Sequence, residues 1–334
     1  MAVTLSDVAK HASLSRETIL EVLVSPSSIE PEVVRFVMQT IRETGYLETF
    51  APWKIQRKGM AIALVSPSID APAGMEVFKG IDRGISSLGL TTARVTIPTR
   101  HSPTFREQLL NSLLPFNMID AVICLTIKPD DETFDKYTRV GKPIVLVETK
   151  KNGSLSVLLE NQKGISIGMN YLYGRGYRRI ALMNGPSGGS EPGSIPGERL
   201  IAYLSSLHRL GLPFDESLIY EAPDYDSDSG IHGFEYFSSL PQLPDALFCA
   251  SGDMTAIGFI NAARNKGIRV PEDIAVLGYD DLPVSALVYP GLSTIRQRLM
   301  IAGAGALVLA LECARNGPGE NLVIMPELVE RGTA

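Results

Sequence analysis

The chain has 334 residues, 45% of them hydrophobic and 20% charged, with a formal net charge of −6, which suits a soluble globular protein of two or three domains. No run approaches the roughly 18–20 apolar residues of a membrane span, and Asp7 and Lys10 stand where a secretion signal would need apolar residues. Cys124, Cys249 and Cys313 are an odd, scattered set in apolar runs, read as reduced thiols of a cytoplasmic protein, and no Cys/His cluster has zinc spacing.

Residues 3–23, VTLSDVAKHASLSRETILEVL, read as two short helices around a tight turn. Thr4 precedes the apolar pattern Leu5, Val8, Ala9, Ala12, with Asp7 three residues on, which is a capping-box start. Ser15 is placed to cap a second helix whose buried stripe is Ile19, Val22 and Leu23. A third helix starts at Pro31, turns Val34, Val37, Met38 and Ile41 inward, and ends at Gly45. Three short helices on one small core form a DNA-reading layout. On spacing alone, a helical cap or dimerisation arm is the alternative. The groove-facing positions of the second helix are then Arg16, Glu17, Leu20 and Glu21, two of them acidic. Residues 1–59 hold seven Lys/Arg and seven Asp/Glu, so the segment is neutral and all the excess acid lies beyond it. Phosphate neutralisation dominates DNA affinity, so weak non-specific binding is expected.

From residue 60 the pattern changes period. Apolar runs of strand length at 60–66, 92–97, 120–126 and 143–147 alternate with helical stretches at 75–88, 104–114 and 131–139. The rhythm returns with strands at 178–184, 218–222, 245–250 and 273–279 and helices at 161–174, 196–210, 228–238 and 253–266. Fully apolar strands alternating with helices predict parallel sheets covered on both faces, in two doubly wound lobes. Ligands of such folds sit beyond the carboxyl ends of the strands, and the cleft between two lobes is the expected site. The four histidines, His11, His101, His208 and His232, fall in unrelated elements, and GPSGGSEPG (185–193) lacks P-loop spacing, so no catalytic constellation is found.

Head piece and core together resemble the LacI/GalR (lactose-repressor) family of transcriptional regulators over essentially the whole chain. The resemblance rests on VTLSDVAKHASLS, YRRIALMNGP (177–186), ALFCASGDMTAIGFINAARNKGIRVPEDIAVLGYDD (246–281), YPGLSTIRQ (289–297) and PELVERG (326–332). It implies a small all-α helix-turn-helix domain (1–45), a hinge (46–59) and a periplasmic-binding-protein-like α/β core (60–330) for effector binding and dimerisation. The core's N-lobe would take about 60–158 and 292–317, and its C-lobe about 159–288 and 320–330. A homodimer on a palindromic double-stranded DNA operator is implied, with a small polar effector, such as a sugar or sugar derivative, and with no cofactor, metal or membrane. Effector and DNA must then prefer different conformations.

Residue by residue, the resemblance places DNA contacts at Thr4, Ser15, Arg16, Glu17, Thr18 and Glu21, and at Trp53, Lys54 and Ile55 in the hinge. It places effector contacts at Arg199, Asp280, Glu148, Tyr225, Gly252 and Gln297. An Arg donates in a fixed fork and an ionised Asp accepts at two oxygens, which suits a ligand bearing hydroxyls. The departures concentrate in residues 16–59. Glu21 stands where the family carries an arginine; a glutamate repels phosphate and can only accept from cytosine N4. Leu20 replaces a small polar residue, Val33-Val34 a polar-basic pair. Pro52 forces any hinge helix to begin close to it, with Thr49 or Ala51 as the start, giving a short helix 52–58 with Ile55 as the wedge residue and Trp53 either an alternative wedge or packed on the core. The leading expectation is an effector-controlled operator-binding regulator, and the alternative an effector-binding dimer that has lost tight operator binding.

Overall fold

The computed structural model describes residues 2–53, 60–68, 71–90, 92–98, 103–115, 117–186, 194–317 and 319–334. The first three helices are α1 (Leu5–Ala12), α2 (Arg16–Val24) and α3 (Pro31–Glu43). Local chemistry sets their ends. The Thr4 hydroxyl accepts from the Asp7 N–H at 3.2 Å, and the Asp7 carboxylate accepts the Thr4 N–H at 2.9 Å, a reciprocal cap. The Thr4 hydroxyl, which also donates to the Asp7 carboxylate at 2.8 Å, and the Thr4 N–H hold the Asp7 carboxyl below its ordinary range. Ser15 Oγ accepts from the Thr18 N–H at 3.1 Å, and Pro31 opens α3.

The chain then makes a 3-10 turn over Leu47–Trp53. The expected hinge helix, 52–58, falls almost entirely outside the described residues. The turn before it is held by packing: Tyr46 and Phe50 are fully buried, edge to face at 5.0 Å. Lys54 and Ile55, and the side chain of Trp53, lie outside the described residues.

The first sheet contains β1 (Met60–Ser66), β2 (Thr92–Pro98), β3 (Ala121–Leu125), β4 (Ile144–Val147) and β5 (Leu155–Leu159), ending on β11 (Leu322–Ile324), in the order β11-β5-β4-β3-β1-β2. Its helices are α4 (Pro72–Ser87), α5 (Pro103–Leu113), α6 (Asp131–Val140) and α11 (Leu299–Asn316). The second sheet runs β12-β10-β9-β8-β6-β7, from β6 (Ile180–Asn184), β7 (Ile219–Glu221), β8 (Ala246–Cys249), β9 (Ala275–Asp280), β10 (Ser293–Arg296) and β12 (Glu327–Val329). α7 (Asn161–Gly174), α8 (Ile195–Leu210), α9 (Ser227–Ser238) and α10 (Asp253–Asn265) accompany it. The pairings among β6, β7, β8, β9 and β10 are parallel and β12 joins antiparallel.

The chain divides into two compact units, Met1–Leu158 with Leu299–Ile324, and Leu159–Arg298 with Met325–Ala334. Two features differ from the sequence reading. The three-helix head piece clusters with the first sheet as one unit. β10, which the reading gave to the first lobe from residue 292, lies in the second, because it pairs with β9 from Ser293↔Leu277 to Arg296↔Asp280.

A third difference is α11, which among the described residues is the one helix long and apolar enough to cross a membrane. Twelve of its residues, from Leu299 to Leu311, are buried in the fold, so its apolarity serves packing. It lies against α4 with backbones nearly touching: a Cβ at Gly80 would stand 1.9 Å from the Met300 carbonyl oxygen, and one at Gly303 1.9 Å from that of Val77. Only glycine permits that crossing.

Candidate functional site

In the second unit, chemistry gathers at the carboxyl ends of the parallel strands. Arg199 comes one turn into α8, whose start Ser194 caps by accepting from the Gly197 N–H at 3.2 Å. That entry turns the Arg199 side chain inward, where it is 5% exposed. Its Nε donates to Asn161 Oδ1 at 2.9 Å and its Nη1 to the Ala250 carbonyl, just past β8, at 2.6 Å. The guanidinium lies over the Tyr279 ring, 4.1 Å from its centroid. The buried cation is thereby held by two acceptors and a ring face.

Asp280 ends β9 in a backbone conformation that side chains rarely adopt, with φ of +111°. Its Oδ1 accepts from Gln297 Nε2 at 2.7 Å, and its carbonyl accepts from the Gln297 N–H at 3.2 Å. Gly252, past β8, has φ of +117°, and a Cβ there would come within 3.0 Å of Asp280 Oδ2. Strained backbone is commonly kept where function requires a fixed geometry. The structure therefore brings Arg199, Gly252, Asp280 and Gln297 to one end of one sheet. Tyr225 is at the same end, 39% exposed, its ring so close to Gly185 after β6 that a Cβ there would lie 2.5 Å from Cε1. Glu148 is in the first unit, at the carboxyl end of β4 with φ of +62°; its N–H donates to the Val157 carbonyl at 2.9 Å.

Two acceptors around these residues are buried with no hydrogen-bond partner among the described residues, Gln297 Oε1 and Asn184 Oδ1. Asn184 ends β6, and its Nδ2 donates to the Pro196 carbonyl at 2.8 Å. Buried polar atoms are rarely left unpaired, so two such acceptors at strand ends are fitted to receive a ligand's hydroxyl or amine protons. Beside them, Asp253 accepts from the Leu282 N–H, the Ser285 hydroxyl and the Thr294 hydroxyl at 2.6–2.7 Å. Burial, reinforced by the charge of Asp280, pushes its carboxyl well above the ordinary carboxylate range against those donors. Asp253 thus ties α10 to the loop after β9 and to β10.

Sequence reasoning did not single out Asn161, Asn184 or Asp253. An Asn at each of two strand–helix junctions was the available signal, but only the pairing of β6 with β8 sets Asn184 near Ala250, and only the hydrogen bond from Arg199 Nε brings Asn161 to the same place.

The head piece departs further from expectation. Thr4, Ser15 and Thr18 serve the caps of α1 and α2. The Arg16 guanidinium donates to the Asn321 carbonyl at 2.6 Å, and the Glu21 carboxylate accepts from the Ser28 hydroxyl at 3.2 Å. Glu17 is partly exposed beside them. Leu20, expected to face DNA, is completely buried. It packs on α11, where its Cδ1 would stand 3.4 Å from a Cβ at Gly305. The correction has a plain cause: the leucine finds an apolar surface within its own chain.

The periplasmic binding protein-like domain family matches residues 169–334. The HTH-type transcriptional repressor CytR of Escherichia coli (strain K12) is 28% identical over 338 residues, covering 99% of this chain and 96% of that protein. A solved transcriptional regulator CelR–cellobiose complex superposes with a TM-score of 0.70 at 26% identity, over 99% of this chain and all of that one (100%). The lac repressor dimer bound to operator and the anti-inducer ONPF shares the fold, with a TM-score of 0.71 at 22% identity, over 100% of this chain and 99% of that one.

Proposed function

We propose that the chain is a member of the LacI/GalR family of transcriptional regulators, a DNA-binding repressor whose operator affinity is set by a small polar effector. The effector sits at the carboxyl edge of the second sheet. The observation that carries this reading is the group of Arg199, Asp280 and Gln297 with the unpartnered acceptors Gln297 Oε1 and Asn184 Oδ1. Donors and acceptors together favour a polyhydroxylated ligand, and the half-exposed Tyr225 ring offers a face for stacking. The relative in complex with cellobiose supports a sugar or sugar derivative.

Full-length alignment with helix-turn-helix repressors, head piece included, does not favour the alternative of a sensor without operator binding. These relatives are regulators, which supports a non-enzymatic role, and a DNA target puts that role in the cytoplasm. A homodimer on a palindrome is supported by the dimeric lac repressor neighbour and by Leu287 and Tyr289, which are 82% and 87% exposed.

Two measurements test the reading. A thermal-shift screen of mono- and disaccharides, nucleosides and sugar phosphates should find a class that raises the melting temperature of the parent. Selection from random duplexes at low salt should enrich one short palindrome, with affinity falling steeply as salt rises. A parent that enriches no sequence would overturn the operator assignment.

A further inference from the structure

The reading helix carries two apolar strips. Ile19, Val22 and Leu23 belong to the three-helix core, while Leu20 and Val24, four residues apart, form a second strip that is also buried. That second strip faces α11 and α4, with Leu20 against Gly305. Around it, α4 caps the end of α2. The Ser87 hydroxyl donates to the Leu23 carbonyl at 2.5 Å, and Arg83 Nη1 donates to the Val24 carbonyl at 2.8 Å and Ser25 Oγ at 3.3 Å. The last carbonyls of a helix have no partners of their own, so these donors satisfy groups that otherwise need water.

The seam continues along both flanks. Arg16 donates to the Asn321 carbonyl. The Glu312 carboxylate of α11 accepts from the Leu5 N–H at 2.5 Å and the Tyr46 hydroxyl at 3.2 Å. α1, α2 and the turn after α3 are therefore each fastened to the elements of the first sheet. A reading helix must bring its side chains to base edges within a groove about 12 Å wide. With Leu20 at 0% exposure and Arg16 engaged, that face is covered. What α2 leaves partly exposed includes Glu17 and Glu21, which repel phosphate.

We propose that the chain stows its own reading helix: α2 docks through Leu20 and Val24 on α4 and α11, and must leave that seat before it can enter DNA. The proposal rests on the regulator reading above and assigns a control to it. DNA competes with the chain's own first sheet unit for one helix face, so any change at α4 or α11 that loosens the seat raises DNA affinity. The unusual Leu20 is then a docking residue.

The test perturbs only the seat. Arg83 and Ser87 are exposed side chains on α4, outside the DNA- and effector-contacting residues, so R83A/S87A is expected to fold. Hydrogen exchange of α2 amides and fluorescence-anisotropy binding to a random-sequence duplex at low salt are measured on the full chain. Loss of these hydrogen bonds should speed α2 exchange and tighten duplex binding by about tenfold each, with S87A alone showing a smaller effect of the same sign. If the parent binds duplex and the double variant changes neither readout, the stow is wrong and the regulator reading remains. Tighter DNA binding without faster α2 exchange also overturns the stow. If α2 exchange rises while neither protein binds duplex, the stow is upheld and the regulator reading fails.

Discussion

Glu312→Gln should change how the protein's stability depends on pH. The Glu312 carboxyl lies in the seam between head piece and α11, and burial pushes it up to about 7 from an ordinary 4.5. The Leu5 N–H and Tyr46 hydroxyl oppose that rise, as does Arg16 on α2, while Asp7 on α1 reinforces it. Tyr46 is raised well above its ordinary value by burial and stays a donor throughout.

A carboxyl with a raised pKa holds its proton longer in the folded state than in the unfolded one. Between about pH 4.5 and 7 the folded protein binds more protons, so stability falls as pH rises through that window and levels off above it. The full displacement corresponds to about 3 kcal/mol, of which about 2–3 kcal/mol develops between pH 5 and 8. Glutamine keeps a carbonyl acceptor for both donors and does not titrate. Urea unfolding of parent and E312Q, followed at half-unit steps from pH 5 to 8.5, should show similar stabilities at the acid end. At pH 8 the variant should be more stable by about 2–3 kcal/mol. Two parallel curves would refute the reasoning, because Glu312 would then titrate alike in the folded and unfolded states.

Arg199→Leu removes the donors of Asn161 Oδ1 and the Ala250 carbonyl; it should cost about 2–4 kcal/mol in urea unfolding and abolish the thermal shift of any ligand found for the parent. Gly80→Ala drives a Cβ into the Met300 carbonyl, and should cost about 3 kcal/mol by the same measurement. Asp130→Ala loses the cap that accepts from the Thr133 N–H at 2.7 Å, a loss of about 1 kcal/mol at pH 7. That N–H holds the Asp130 carboxyl below its ordinary range. The parent's advantage should therefore be present above about pH 4 and fade as the pH falls through the lowered pKa.

Much of the core was legible because its signals are local. The runs at 60–66 and 178–184 announce β1 and β6, and the helix read at 161–174 coincides with α7. Their period and apolar content follow from burying both faces of a parallel sheet. Thr4, Ser15 and Pro31 mark helix starts through atoms three residues away. β5, β10, β11 and β12 were missed because short strands are defined by their partners, as Ser293↔Leu277 shows for β10.

Sequence alone pointed to a helix-turn-helix followed by two series of strands and helices, and the family resemblance picked out Arg199 and Asp280 as candidate ligand contacts. It also showed that α2 is an odd reading helix, with acids at 17 and 21 and a leucine at 20. Only the tertiary structure decided where Leu20 packs, which asparagine accepts from Arg199, and that the head piece joins the first sheet unit. Each of those answers depends on a partner far along the chain: Gly305 for Leu20, Ala250 for Arg199, Glu312 for Leu5. Helical period tells which side of a helix is apolar, and folding chooses the surface that side meets.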